Sequence, residues 1–179
     1  MPQDVIDFWF AEDTRKLWFN STPEFDQLLR ERYLETWEQA QRGDIDHWLQ
    51  SADGCLALVI LLDQLPLNMF RNSAQSYATE AQSREVAHRA IERKFDQALD
   101  ADRKAFLYMP FMHSENPEDQ ELALKLFDQP GLESNLRFAH HHHTIVAKYG
   151  RFPHRNEALG RVSTDAEIEY LNSKEAFTG

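Results

Sequence analysis

Cysteine is nearly absent from this chain of 179 residues, in which Cys55 is the single one. One thiol excludes an internal disulfide and supplies no sulfur set for zinc, which favours a reducing compartment. Basic residues are also fewer than acidic ones: the chain has 19 Lys and Arg and 30 Asp and Glu, which gives a formal net charge of −11. Such a chain repels a phosphate backbone, so we expect no nucleic-acid partner.

Long apolar runs are lacking as well. The longest, Cys55 to Leu62, is far shorter than the ~20 residues that cross a bilayer. The chain does not open with a basic segment followed by an apolar one, as a secretory signal would. We therefore predict a cytoplasmic protein without a membrane partner, in which Cys55 is a buried, inert thiol.

Core-forming residues, by contrast, are plentiful: 42% of the chain is hydrophobic and 12% aromatic. This predicts one domain over residues 1–179. Apolar side chains recur at three- and four-residue steps, which is typical of amphipathic helices, and we find no strand pattern and no fixed-period repeat. The pattern predicts an all-α fold of seven to eight helices with antiparallel neighbours. The predicted helices cover residues 2–10, 23–42, 53–65, 79–93, 102–109, 116–128 and 133–149, with a last one opening at 164.

The helix over 53–65 is apolar on every side, which predicts the central buried helix. Pro66 is expected to end it, and Pro110 is expected to stop or kink the helix over 102–109.

The first of three unusual polar segments follows that apolar helix and carries Asp63, Gln64, Asn68 and Arg71. A carboxylate at the C-terminal end of a buried helix opposes the helix dipole, so Asp63 should have a donor partner, and Arg71 is the near candidate. An ion pair that fixes the helix exit is one interpretation, and a ligand-binding turn is the other.

The second segment places His113, Ser114 and Glu115 directly after six bulky apolar residues. His113 and Glu115 are candidates for a general base and acid, because the pKa values of both residue types can be tuned toward neutrality. No nucleophile elbow supports Ser114. The alternative is that His113 and Glu115 cap neighbouring helices.

The third segment, Lys148 to Arg161, holds four bases and one acid. Arginine grips carboxylates and phosphates in a bidentate manner, so this segment predicts an anion pocket. The same bases could instead anchor Asp63 and Glu115 inside the protein, and we favour that coupling. The ligand-binding candidates in this segment are Arg151, His154, Arg155 and Asn156.

A run of histidines, His140 to His143, invites a metal hypothesis. On a helix, only His140 and His143 share a face, and no zinc motif accompanies them. His142 falls on an apolar stripe with Phe138, Ile145 and Tyr149, which predicts a satisfied core histidine. We expect no specific metal site and no cofactor.

The three polar segments resemble those of a mainly bacterial family, domain of unknown function 924. The resemblance extends from Val5-Ile6-Asp7-Phe8-Trp9-Phe10 through the first two polar segments to Leu159-Gly160-Arg161. It implies a tetratricopeptide-like α-α superhelix, and it implies no activity. The chain departs from the family pattern at Leu67, where Arg is common, and at Asn72, where Gly is common. The polar positions implied as shared are Asp63, Gln64, Asn68, Arg71, His113, Ser114, Glu115, Asp119, Gln120, His142, Arg151, His154, Arg155 and Asn156.

Three functions remain open from the sequence. The first, which we rank slightly higher, is a binding module for a small anionic ligand or a peptide, held by Arg151, His154 and Arg155. The second is a small hydrolase or transferase in which His113 acts with Glu115 or Asp63. The third is a purely structural network. The sequence does not determine the oligomeric state.

Overall fold

The protein is all-α, as predicted. A computed structural model describes residues 1–177, and that range contains no strand. Its α-helices are α1 (Pro2–Trp9), α2 (Glu12–Arg15), α3 (Pro23–Arg42), α4 (Ala52–Val59), α5 (Leu65–Met69), α6 (Glu80–Glu92), α7 (Ala101–Met112), α8 (Pro117–Phe127), α9 (Glu133–Tyr149) and α10 (Asp165–Leu171). Short 3-10 turns lie at Asp46–Gln50, Ala74–Tyr77, Phe95–Ala98 and Pro153–Arg155. Each of the predicted helices corresponds to an observed one.

The chain divides into two compact units. Unit 1 comprises Met1–Arg71 and Gln75–Pro110, and unit 2 comprises residues 72–74 and 111–177. The expectation that residues 1–179 behave as one domain therefore stays a prediction, and so does the tetratricopeptide-like superhelix.

Unit 1 is built around α4, which packs against α1, α6 and the 3-10 turn at Asp46–Gln50. Every side chain from Cys55 to Leu62 is at most 1% exposed, which confirms the predicted central helix. Gly54 lets α4 approach that turn, since a Cβ at this position would lie 1.8 Å from the Trp48 carbonyl oxygen.

Pro66 does not end this helix, so that prediction is wrong. The chain continues from α4 through a π turn at Ile60–Gln64 into α5, with the Leu65 N–H donating to the Ile60 carbonyl. A proline has no N–H for the carbonyl four residues earlier, and this would leave the Leu62 oxygen short of a donor. The Thr79 hydroxyl donates to that oxygen at 2.6 Å, and this bond allows the helix to pass through the proline.

Pro110 likewise does not stop α7, which continues to Met112.

The helical stretch Ala52–Met69 is apolar and long enough to cross a bilayer by length and composition alone, with 18 residues and a mean hydropathy of 1.3. Of this stretch, 83% is buried inside the protein.

Among residues 1–177, two non-glycine residues have a left-handed backbone: Asn72 (φ 63°) and Lys94 (φ 59°). Glycine and asparagine tolerate this conformation best. The departure at Asn72, where the family resemblance implies glycine, therefore keeps a residue type that fits the turn.

Unit 2 contains α8 and α9, which pack against each other, followed by the 3-10 turn Pro153–Arg155 and α10. Asn116 caps α8 by accepting from the Glu118 N–H, and Thr164 caps α10 in the predicted capping box. The buried core of this unit includes Ile145, Val146 and Phe152, with Tyr149, Tyr170 and Phe177 packed on it. These elements position the side chains of the candidate site.

Candidate functional site

The candidate residues fall into both units. Unit 1 holds Asp63, Gln64, Asn68 and Arg71, and unit 2 holds His113, Glu115, Arg151, His154, Arg155 and Asn156. Each unit therefore carries its own set of candidate side chains.

Asp63 lies inside the π turn rather than at a helix end, and it is 1% exposed. The Gln64 side-chain amide donates to Asp63 Oδ2 at 2.8 Å and lies 3.5 Å from the sulfur of Met109. The predicted conflict with the helix dipole does not arise, because the helix continues beyond Asp63. Single π turns are often found at functional sites, and this one lies directly before Leu65 and Pro66.

Arg71 binds Asp26, which the sequence analysis missed. Arg71 Nε and Nη2 donate to the two oxygens of Asp26 at 2.7 and 3.1 Å, and the Asn68 amide donates to Oδ1 at 2.8 Å. Burial would raise the pKa of Asp26, but the bonds from Arg71, Asn68 and Ser21 hold it below its ordinary value. The suggested pair of Arg71 with Asp63 is therefore wrong. From sequence, Asp26 looks like an ordinary acid in the first turn of α3.

Glu115 is the carboxylate of a bidentate ion pair in unit 2. Arg161 Nη1 and Nη2 donate to its two oxygens at 2.8 and 3.0 Å, and the Phe152 N–H donates at 2.6 Å. Burial opposes ionisation of Glu115, but these donors keep its pKa below the ordinary value. Glu115 is thus ionised at neutral pH and has no proton to give as a general acid.

Arg151 and Asn156 converge on Glu167, a second acid that sequence reasoning did not select. Arg151 donates from Nε and Nη2 at 2.9 and 2.8 Å, and the Asn156 amide donates at 3.1 Å. Glu167 is 2% exposed, and its hydrogen bonds with Arg151 and the Thr164 N–H hold its pKa far below the usual range. The Thr164 capping box was the signal that could have identified it.

Arg155 is buried, with 5% of its surface exposed. Its Nη2 donates to the His113 carbonyl at 2.8 Å, and its guanidinium carbon lies 4.9 Å from the centre of the Phe152 ring. Ser114 is fixed nearby, because its hydroxyl donates to Asp119 at 2.6 Å and accepts from the Asn116 N–H at 3.1 Å. The segment after α7 is thus a well-bonded turn.

Five rings form what we call the histidine–phenylalanine cluster of unit 2. The His142 ring lies 6.0 Å from His113, 5.5 Å from Phe152 and 4.6 Å from Phe177, measured between ring centres. The His154 ring lies 5.7 Å from Phe152 and 5.1 Å from Phe177. His113, His154 and Phe177 are partly exposed, so the cluster reaches the surface of the unit.

His142 is buried at 4% exposure, which confirms its predicted core position, but its ring is satisfied on one side only. Nδ1 lies 2.7 Å from the Phe138 carbonyl, a bond in which Nδ1 must carry the proton. Nε2 then presents a lone pair, and across residues 1–177 no hydrogen-bond partner reaches it. We call this atom the open acceptor.

Two histidines of the cluster, His142 and His154, are neutral at physiological pH. Burial lowers the pKa of His142 to about 3, with a further contribution from His113. Burial and the charge of Arg155 lower the pKa of His154 to about 4. Their rings therefore act as hydrogen-bonding groups rather than as cations.

Metal ligation gains no support from this geometry. Within the described range, no group of three or more His, Cys, Asp or Glu side chains is arranged to hold an ion. His143 Nε2 lies 2.6 Å from Glu121 Oε1, and His140 lines an open groove of about 460 Å³ with residues of α8.

Comparison with known proteins agrees with this fold and names no activity. A solved protein of unknown function from Agrobacterium tumefaciens is 40% identical, with a TM-score of 0.90 and 96% of each chain covered. No protein with a curated description matches the chain. The model of a family described as bacterial protein of unknown function (DUF924) matches residues 5–175. The chain therefore belongs to the DUF924 family.

Proposed function

We propose that this protein is a binding module whose ligand site is the histidine–phenylalanine cluster of unit 2. The observation that carries the proposal is the open acceptor, the buried Nε2 of His142. A buried polar atom left without a partner costs roughly 1–3 kcal/mol, so its presence in a core needs a reason. A ligand that donates a hydrogen bond to this atom would supply that reason.

The surroundings of the open acceptor define the chemistry of the ligand. A neutral imidazole with its proton on Nδ1 can only accept at Nε2, so the ligand must carry an N–H or O–H group. The neighbouring ring of Phe152 is apolar and favours a flat, aromatic body, and the contact of the Phe177 ring with His142 shows that such a body fits there. The site thus suits an uncharged amide or hydroxyl attached to a ring.

An anionic ligand, the sequence-based alternative, finds less support. Arg151 already binds Glu167 and Arg161 already binds Glu115, both in bidentate pairs. These guanidinium groups are neutralised by the protein's own carboxylates, which fits the internal anchoring that we favoured for Glu115. An ionised carboxylate also has no proton for the open acceptor.

An enzymatic role based on Glu115 is not the one we propose, because its ion pair with Arg161 keeps it ionised. His113 keeps a place in the site as one wall of the cluster.

The test uses two probes that differ in one group. Phenylacetamide carries a ring and N–H donors, whereas phenylacetate carries the same ring and an anionic carboxylate. We expect phenylacetamide to shift the NMR resonance of His142 Nε2 in histidine-labelled protein, and phenylacetate to leave it unchanged. A larger response to phenylacetate would restore the anionic ligand, and no response to either probe would refute the proposal.

Two variants locate the binding. His142→Phe keeps a ring and removes the acceptor, so it should abolish phenylacetamide binding in calorimetry. His140→Phe is the matched control, because His140 is exposed on the same helix and lines the groove toward α8. Equal binding by both variants would place the probe elsewhere on the protein.

A further inference from the structure

The segment Ser173–Phe177 crosses the histidine–phenylalanine cluster and places the Phe177 ring on it. This ring meets His142, His154 and His141 edge-on, at centre distances of 4.6, 5.1 and 5.9 Å and interplanar angles of 66°, 87° and 81°. Edge-to-face geometry is the favoured arrangement for such rings. The cluster therefore already accommodates a phenyl ring carried on a stretch of polypeptide.

The remainder of this segment is held by few bonds. The Phe177 N–H donates to the Tyr170 hydroxyl at 2.9 Å, and Ser173 folds back on the Tyr170 carbonyl. Of the three residues between, Lys174 and Glu175 are exposed and Ala176 is half-buried. The Phe177 ring is therefore the main attachment of this segment. Segments with few buried contacts open at low free energy, so we expect this one to detach easily.

Phe177 fills the apolar half of the site and leaves the polar half unused. Its own N–H is engaged by Tyr170 and is not directed to His142. Within residues 1–177, the open acceptor stays without a donor even though the ring is in place. A peptide that offers both a phenyl ring and an adjacent N–H would bind better than the protein's own segment.

From this we infer that the ligand of the cluster is a peptide carrying a phenylalanine-type side chain beside a free N–H donor, and that Phe177 occupies its place until it binds. This inference rests on the proposed function and adds to it a ligand class and a competing occupant. The exchange follows from differential affinity, because the peptide satisfies one more group than the resident ring.

The competition has a measurable consequence. An attached competitor acts at an effective concentration of about millimolar, which lowers the apparent affinity for a ligand added in solution. Removing the ring with Phe177→Ala in the full chain should therefore raise peptide affinity by about tenfold or more. The second variant, Tyr170→Phe, deletes only the hydroxyl that holds the Phe177 N–H, creates no cavity, and should raise affinity by a smaller factor.

The probe is an acetylated peptide amide that repeats Ser173 to Phe177, whose terminal amide supplies N–H donors next to the ring. The control probe has alanine in place of the phenylalanine and should not bind any variant. Calorimetry gives the affinities, and the His142 Nε2 resonance shows whether the site itself is occupied.

The outcomes separate this inference from the proposed function. Tighter peptide binding by Phe177→Ala and Tyr170→Phe than by the wild type, with a shift at His142, supports both. Binding of phenylacetamide without binding of the peptide overturns the peptide inference and leaves the binding module standing. Equal peptide affinity in all three proteins overturns the role of Phe177 as an occupant. If neither probe binds any of the proteins, the proposed function fails as well.

Discussion

Replacing Glu115 by glutamine keeps the size of the side chain and removes its charge. The carboxylate accepts three bonds, from Arg161 Nη1 and Nη2 and from the Phe152 N–H. Glutamine retains one oxygen and turns an NH₂ group toward these donors, so Arg161 loses its counter-ion. Both members of the pair are about a quarter exposed, at 24% and 25%. Surface ion pairs contribute about 0–1 kcal/mol to stability, whereas breaking a buried pair costs about 3–5 kcal/mol. Since this pair is intermediate in exposure, we expect Glu115→Gln to lower the free energy of unfolding by about 2 kcal/mol at neutral pH.

The loss should depend on pH in a definite direction. Burial opposes the charge of Glu115, but the bonds from Arg161 and the Phe152 N–H hold its pKa below the ordinary value. A carboxyl group with a depressed folded-state pKa stabilises the protein fully above its unfolded value of about 4.3. That contribution disappears as the pH falls through the pKa that Glu115 has in the folded state. The difference between wild type and Glu115→Gln should therefore be complete at neutral pH and shrink in acid.

Urea unfolding followed by far-ultraviolet circular dichroism measures this difference. Tryptophan fluorescence is the wrong probe, because all four tryptophans lie in unit 1 and Glu115 lies in unit 2. A slope of about 2 kcal/mol per molar urea converts the expected loss into a midpoint shift of about 1 M. Glu157→Gln, an exposed acid in the same unit, is the control and should shift little. A loss below about 0.5 kcal/mol, or one that persists unchanged in acid, would contradict the structural assignment and return Glu115 to the catalytic candidates.

Three further outcomes follow from the fold. Thr79→Val should lower the free energy of unfolding in urea by about 2 kcal/mol more than Thr79→Ser does. Valine has no hydroxyl to donate to the Leu62 carbonyl or to accept from the Trp37 indole N–H, whereas serine keeps both bonds. Equal losses would contradict the role of the Thr79 hydroxyl beside Pro66. Lys94→Gly should raise the free energy of unfolding by about 0.5–1 kcal/mol and with it the melting temperature, because Lys94 has a φ of 59° and glycine adopts this left-handed conformation without strain. A lower melting temperature would count against this explanation. If residues 1–179 are one domain, the transitions seen by tryptophan fluorescence and circular dichroism should coincide, whereas separate transitions would show that the units unfold independently.

The helices could be predicted because their apolar periodicity and caps are local signals. Thr22, Asn116 and Thr164 lie where the sequence placed helix starts, and their side chains accept the expected backbone N–H groups. Pro66 could not be predicted in the same way. Whether a proline ends a helix depends on whether another donor reaches the carbonyl that it leaves open. Here the donor, Thr79, lies 17 residues beyond Leu62 in the chain, and only the tertiary fold brings it there.

The candidate site shows the same division between local and tertiary information. The sequence identified the basic segment and several polar residues, but it did not reveal the acids that each base would meet. Glu167 lies 16 residues after Arg151, and Asp26 lies 45 residues before Arg71. A charge pattern alone cannot distinguish an anion pocket from an internal network, because both need the same arginines. Only the partner of each guanidinium decides, and for Arg151 and Arg161 that partner is a carboxylate of the same unit.

His142 is where structural and functional explanations predict opposite results. Phenylalanine would fill the same core position without burying a lone pair, at the cost of the bond from Nδ1 to the Phe138 carbonyl. Losing that bond costs about 1 kcal/mol, whereas removing an unsatisfied acceptor gains about 1–3. His142→Phe should thus leave the free energy of unfolding unchanged or raise it by about 1 kcal/mol, while phenylacetamide binding disappears.

Acid gives the second half of this test. A histidine whose folded-state pKa lies near 3 destabilises the protein progressively as the pH falls below its unfolded value of about 6.5. His142→Phe should remove that part of the acid sensitivity, and His140→Phe should not. A loss of more than about 2 kcal/mol at neutral pH in His142→Phe would mean that the imidazole is a structural element. A gain in stability together with a loss of binding is the pattern expected when a residue is kept for its ligand, because sites that serve function are commonly not those that maximise stability.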